Sequence, residues 1–201
     1  MRLILASGSE RRRQLMDMCG YDYEIIVSRA DENIEPCEPE KYVEKLALRK
    51  AGEVFERVKA ENKAAGKNEK AAVIGSDTVV VLDGKIIGKP KDSADAKRII
   101  SMISGKTHKV YTGLAVITDD NVQLDCSITR VNVRKMTDDE IARYVETGES
   151  LDKAGAYGLQ GPFGMFVDSI EGNYFTIIGM PLPMLYTMLK NIGIMPDMHR
   201  V

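Results

Sequence analysis

VIGSDTVVVLDGKIIGKP, residues Val73–Pro90, is the stretch on which the reading turns. It predicts two short apolar strands joined at Asp83-Gly84, a dipeptide that favours a two-residue hairpin. Polar residues sit at its ends. Asp77 lies between Ser76 and Thr78, with Val73-Ile74 before it and Val79-Val80-Val81 after it. A carboxylate in so apolar a run is costly to desolvate unless it is paired, bound to a metal, or facing a cleft. The alternative is a strand-edge aspartate that bonds backbone amides. Because the hairpin strands are antiparallel, Lys89-Pro90 returns a cation towards the end that carries Asp77. An acid and a lysine at one open end point to a site for a phosphorylated ligand.

Upstream, Leu3-Ile4-Leu5 in Arg2–Ser7 is too short for a helix and apt for a buried strand. Ser7-Gly8-Ser9 reads as a loop, and Glu10–Met18 as a helix with Ser9 as N-cap and Gly20 as stop. Arg11, Arg12 and Arg13 fall in its first turn. Loop amides and a helix N-terminus attract phosphate, and guanidinium forks grip it. Three adjacent arginines cannot all face one way, so at least one belongs to solvent. Tyr23–Val27 reads as a second strand, and Asp31-Glu32-Asn33-Ile34-Glu35 as an acidic loop that could supply a metal ligand. Pro39 starts the longest helix, to about Ala64, with Val43, Leu46, Ala47, Val54 and Val58 as its apolar stripe. Lys50 falls inside that stripe, where a lysine either snorkels to water or reaches into a cleft.

Downstream, Ser93 is expected to cap a helix containing Ala96, Ile99, Ile100 and Ile103 and ended by Gly105. Thr107–Thr118 and Val122–Val133 alternate as an antiparallel pair about Asp119-Asp120-Asn121. Thr137 and Glu140 have capping-box spacing, and open a helix that runs to Gly148. In LDKAGAYGLQGPFG, Leu151–Gly164, the glycines predict backbone packed closely against a neighbour or a tight irregular crossover. Gln160 is placed there as a polar reader of a base. The last helix is Leu182–Asn191, introduced by Pro181, and Met195–Val201 reads as a loose tail.

A net charge of −2 gives no global attraction to nucleic acid or to an anionic membrane, so phosphate recognition must be local. Cys19, Cys37 and Cys126 match neither a zinc motif nor a disulfide framework, and two histidines make a poor histidine metal centre. With no signal-like or membrane-length apolar run, a cytoplasmic protein is expected. No Walker-type GxxxxGK[ST] occurs, which excludes a P-loop NTPase.

LILASGSERRRQL, IGSDTVV followed by GKP, SGKTHKVYTGLAV, and DKAGAYGLQG followed by IGMPL together resemble the Maf family of nucleoside triphosphate pyrophosphatases, also called septum-formation-inhibitor-like proteins. The resemblance covers nearly the whole chain, and the DKAGAYG-x-QG form resembles the branch acting on dTTP and UTP. It implies one α/β domain over 1–201, of the Maf / inosine-triphosphatase-like kind, with two lobes around a long twisted mixed sheet and a central cleft. It implies hydrolysis of dTTP and UTP to monophosphate and pyrophosphate, including clearance of non-canonical or modified nucleotides. Asp77 is the implied general base. Ser7, Ser9, Arg11, Arg12, Lys50 and Lys89 suit the phosphate chain, and Arg11, Thr78 and Gln160 set base preference. A Mg²⁺ or Mn²⁺ cofactor is implied, with Glu32 or Asp77 as the ligand, and a homodimer is an expectation. The alternative is a nucleotide-sensing regulator of cell division that acts by binding. Two departures stand out: Glu10 replaces the usual proline, and Gly179-Met180-Pro181 replaces the usual GLP.

Overall fold

A computed structural model describes residues 1–199. In chain order the elements are β1 (Arg2–Leu5), α1 (Glu10–Met18), β2 (Glu24–Ile25), α2 (Pro39–Ala64), β3 (Ala71–Leu82), β4 (Lys85–Ile87) and α3 (Ser93–Ile103). They continue with β5 (Thr107–Ile117), β6 (Val122–Val133), α4 (Asp138–Glu146), β7 (Val167–Glu171), α5 (Tyr174–Ile178) and α6 (Leu182–Asn191). Two short 3-10 turns, Ala154–Ala156 and Pro162–Phe166, lie between α4 and β7. The strands form one mixed sheet in the order β2-β1-β3-β5-β6-β7, with β4 added to β3. β1 is parallel to both β2 and β3, whereas β4 is antiparallel to β3 and β7 is antiparallel to β6. The expected mixed α/β class is therefore the observed one.

The chain divides into two compact units. The first comprises Met1–Asp77, Thr112–Ser127 and the chain from Gly179 onward. Its core packs Ala47, Ala51, Val54 and Val58 of α2 against Ile4, Val73 and Ala115 of the sheet. The expected stripe of α2 is buried as read, with Ala51 and Phe55 added to it. Two glycines bring helix backbone onto strand backbone. A Cβ on Gly75 would stand 2.2 Å from the Ala47 carbonyl, and one on Gly113 would stand 2.4 Å from that of Val43. No side chain fits either gap. Residues i and i+2 of a strand share a face, so Asp77 leaves β3 on the same side as Gly75, towards α2.

The second unit comprises Thr78–Tyr111 and Ile128–Ile178. Its core joins Ala96, Ile99, Ile100 and Ile103 of α3 to a ring cluster of Tyr144, Tyr157, Phe163 and Phe166. Both halves of the capping box at Thr137 and Glu140 form. The Leu151–Gly164 stretch is packed as expected, with Gly155 N donating to Gly88 O at 3.1 Å.

Four details differ from the expectations. Asp92 rather than Ser93 caps α3, its carboxylate accepting from Asp95 N at 2.8 Å, because an aspartate side chain reaches the first-turn amides from one residue earlier. Ser9 is the N-cap of α1 by position but makes no side-chain cap bond. β2 shrinks to two residues, paired only with β1. Within the tail, Asp197 N donates to Gly20 O at 2.9 Å and its carbonyl fills the space beside that glycine, so this part is docked. Residues 200 and 201 of the expected tail lie outside the described residues.

Candidate active site

Asp77 ends the part of β3 that belongs to the first unit, and it is buried. Lys50, from the α2 stripe, donates to its Oδ1 at 2.8 Å. The same ammonium lies 3.0 Å from Glu32 Oε1, on the acidic loop before α2. Of the two readings left open for Lys50, this is the inward one: its side chain is only 12% exposed, against 64% for Glu32. The close seating of α2 at Gly75 makes the reach possible, since Ala47 and Lys50 lie one turn apart on the helix.

Arg12 completes the cluster from α1. Its Nε donates to Gly179 O at 2.9 Å and its Nη1 to Ser7 Oγ at 3.1 Å. Ser76, on the opposite face of β3 from Asp77, donates to the same Gly179 carbonyl at 2.9 Å. Ser7 is buried, and its Oγ also accepts from Ser9 N at 3.2 Å, so that loop amide is engaged within the loop. Arg11 is half-buried. Arg13 turns outward and pairs with Glu10 at 2.5 Å, so the acid in the usual proline's place engages the outermost arginine.

Burial raises the Asp77 pKa, while the Lys50 charge and hydrogen bond, and then Arg12, oppose the rise. Burial lowers that of Arg12, with Asp77 opposing and Arg11 adding to the fall. The phenol of Tyr42, half-buried on α2, is raised by burial and then by Asp77 and Glu32. Tyr42 and the Gly179 carbonyl are members of this neighbourhood that the sequence reading did not single out. Tyr42 lies eight residues before Lys50, a helical spacing that places both on one face and could have flagged it.

Thr78, Lys89 and Gln160 belong to the second unit. Thr78 follows Asp77 on β3 and is half-buried. Lys89 is exposed two residues past Ile87, where the β3–β4 ladder ends. Gln160 is exposed in the turn between the two 3-10 segments.

The described residues include no helix long and apolar enough to cross a membrane. The first unit thus presents a mixed α/β frame whose buried acid is tied to a lysine, with an arginine anchored beside a serine-glycine-serine turn. Such a centre can hold an anionic group next to a proton acceptor. The family model described as Maf-like protein matches residues 2–192, and the chain belongs to that family. A dTTP/UTP pyrophosphatase of Thermotoga maritima is 45% identical over 193 residues, covering 96% of this chain and 90% of that protein. One of Bacillus pumilus is 42% identical over 195 residues (96% and 98%), and one of Aquifex aeolicus is 40% identical over 195 residues (97% and 97%). Among solved structures, the Staphylococcus aureus Ham1 protein gives a TM-score of 0.38 at 13% identity over 66% of this chain and 72% of that one, a likeness too distant to bear on function.

Proposed function

We propose that this protein is an enzyme that hydrolyses dTTP and UTP to the nucleoside monophosphate and pyrophosphate. The observation that carries the reading is the Asp77–Lys50 pair beside the anchored Arg12, in a chain at least 40% identical over nearly its full length to proteins of that name. Water attacks the α-phosphorus and pyrophosphate leaves, so the enzyme must orient a water and balance charge on phosphate oxygens. Asp77 takes the proton from that water. A buried carboxylate with a raised pKa is a stronger base than one in free solvent, and its lysine keeps it ionised. Arg12, Lys50 and Lys89 meet the phosphates, with Ser7 and Ser9 shaping the loop. Arg11, Thr78 and Gln160 contribute to base preference, as the family resemblance implies.

Mg²⁺ or Mn²⁺ is the cofactor implied by the family, and the donors present fit it. Glu32 and Asp77 are hard carboxylates that share one cationic partner, Lys50, at 3.0 and 2.8 Å, which puts both within reach of an ion bound beside that ammonium. Among the described residues no group of three or more candidate ligands gathers, so these two would hold the ion with substrate oxygens and water completing its shell. When bound, it would offset charge on the phosphates. A cytoplasmic location and a homodimer belong to the same proposal.

The test is a pyrophosphate-release screen over dTTP, UTP, CTP, ATP and GTP with each metal, run in ¹⁸O-water. Uracil and thymine share one O2, N3–H and O4 edge, so both should lead the series. Label should enter the monophosphate. Label in pyrophosphate or orthophosphate, or a preference for purines, would overturn the reading.

A further inference from the structure

The exposed Gln160 sits on a turn whose shape is set from outside the turn. A Cβ on Gly161 would stand 1.8 Å from Glu149 Oε1, and one on Gly158 would stand 2.9 Å from the same atom. The Glu149 carboxylate therefore occupies the room that side chains at both glycines would take. The seat is a packed one, for Glu149 Oε2 is buried and has no hydrogen-bond partner among the described residues. The Tyr144 hydroxyl accepts from Gly158 N at 3.2 Å, which ties the turn to the ring cluster, and burial raises the pKa of that phenol with the nearby Glu149 charge adding to the rise. The Lys153 stem also closes on Gly158, 2.9 Å from where a Cβ would be, and its Nζ donates to the Glu149 carbonyl at 2.7 Å. The turn itself is tied by Gly161 N donating to Gly158 O at 3.3 Å.

We infer that Glu149 is a positioning residue for the specificity turn: its carboxylate, seated against Gly158 and Gly161, fixes that turn and the presentation of Gln160 to the base. The inference rests on the proposed role of Gln160 in base preference, and adds what holds that side chain in register. A Cβ at Gly161 displaces the carboxylate from its seat, whereas one at Gly158 asks only for a small shift of the same side chain.

The experiment compares Glu149→Gln, Glu149→Ala, Gly161→Ala, the double variant Glu149→Ala/Gly161→Ala, and Gln160→Ala. It measures kcat and KM for UTP and CTP, and hydrogen exchange at the Gly158 and Gly161 amides. Glu149→Gln keeps the size and shape of the side chain that fills the seat and should hold the UTP/CTP ratio of kcat/KM within about twofold of wild type. Glu149→Ala should speed exchange at both amides. It should also compress the ratio about five- to tenfold, mainly through the UTP KM, which a general loss of stability would not do. Gly161→Ala should match it, and the double variant should be no worse than either single one, because each removes the same seat. Multiplying losses, or unchanged exchange in Glu149→Ala, would overturn the positioning role. A Gln160→Ala variant with an unchanged ratio would instead overturn the base-reading role of Gln160. Faster exchange in Glu149→Ala would still support the hold on the turn.

Discussion

Burial pushes the Asp77 pKa up while Lys50, at 2.8 Å, and then Arg12 pull it down, so the acid is held between two demands. It must be basic enough to take a proton and ionised enough to do so near neutrality. Asp77→Asn is nearly isosteric but cannot take a proton. It should lower kcat by about 10²–10⁴-fold with a folded chain and most nucleotide affinity retained. A variant keeping more than about a tenth of the wild-type rate would remove Asp77 as base. Lys50→Gln deletes the main charge opposing the burial effect, so the Asp77 pKa should rise further. Activity needs the ionised acid, and the acid limb of the kcat/KM profile should therefore move to higher pH. A limb that stays, or moves lower, would mean that the lysine does not set the ionisation of this carboxylate.

At the scale of elements, what was legible in the sequence was what local periodicity and capping encode. Pro39–Ala64 was read to its ends because Pro39 starts it and its stripe repeats at helical spacing, and the Asp83-Gly84 hairpin and the Thr137–Glu140 box followed from turn chemistry. Lys50 and Asp77 were each flagged, but their bond was not, since they lie 27 residues apart on two different elements. Gly75 looked like any glycine in an apolar run, and only the assembled helix and sheet show that it lets α2 sit close enough for Lys50 to reach. β7 and α5 were missed because Val167–Glu171 and Tyr174–Ile178 are too short for a period to emerge. His108, on β5, carries a further consequence. It is 1% exposed, its Nε2 lies 2.8 Å from the Tyr157 hydroxyl, and burial lowers its pKa to about 4. A histidine whose folded pKa lies below its unfolded value of about 6.5 stabilises the fold above that unfolded value. That contribution is lost as pH falls from about 6.5 towards 4, up to about 3 kcal/mol in all. His108→Gln cannot ionise, so its urea midpoint should fall less than the wild-type midpoint between pH 7 and about 4.5. Parallel midpoints across that range would show that His108 does not carry the acid sensitivity.

For the whole molecule the question is whether its charge helps or hinders a polyanionic substrate. The chain carries a net charge of −2, which by itself repels a nucleoside triphosphate weakly. Against that stand a few cations fixed by the fold, with Arg12 tied to Ser7 and Gly179, and Lys50 held between two carboxylates. The two contributions respond to salt with opposite signs. Screening a repulsive net charge would lower KM as salt rises, whereas screening attraction to local cations would raise it. At about 0.1 M the screening length is near 10 Å, shorter than a domain but longer than a direct phosphate contact, so the overall repulsion should already be largely damped there. Raising the salt from about 0.05 to 0.5 M at constant Mg²⁺ should therefore raise the KM for UTP by about threefold or more. The value of kcat should change little, because Asp77 and Lys50 are screened less in their buried pair than exposed charges are. A KM that falls with salt would mean that the overall field outweighs the fixed cations. A kcat that falls as steeply as KM rises would mean that the catalytic pair is open to solvent ions.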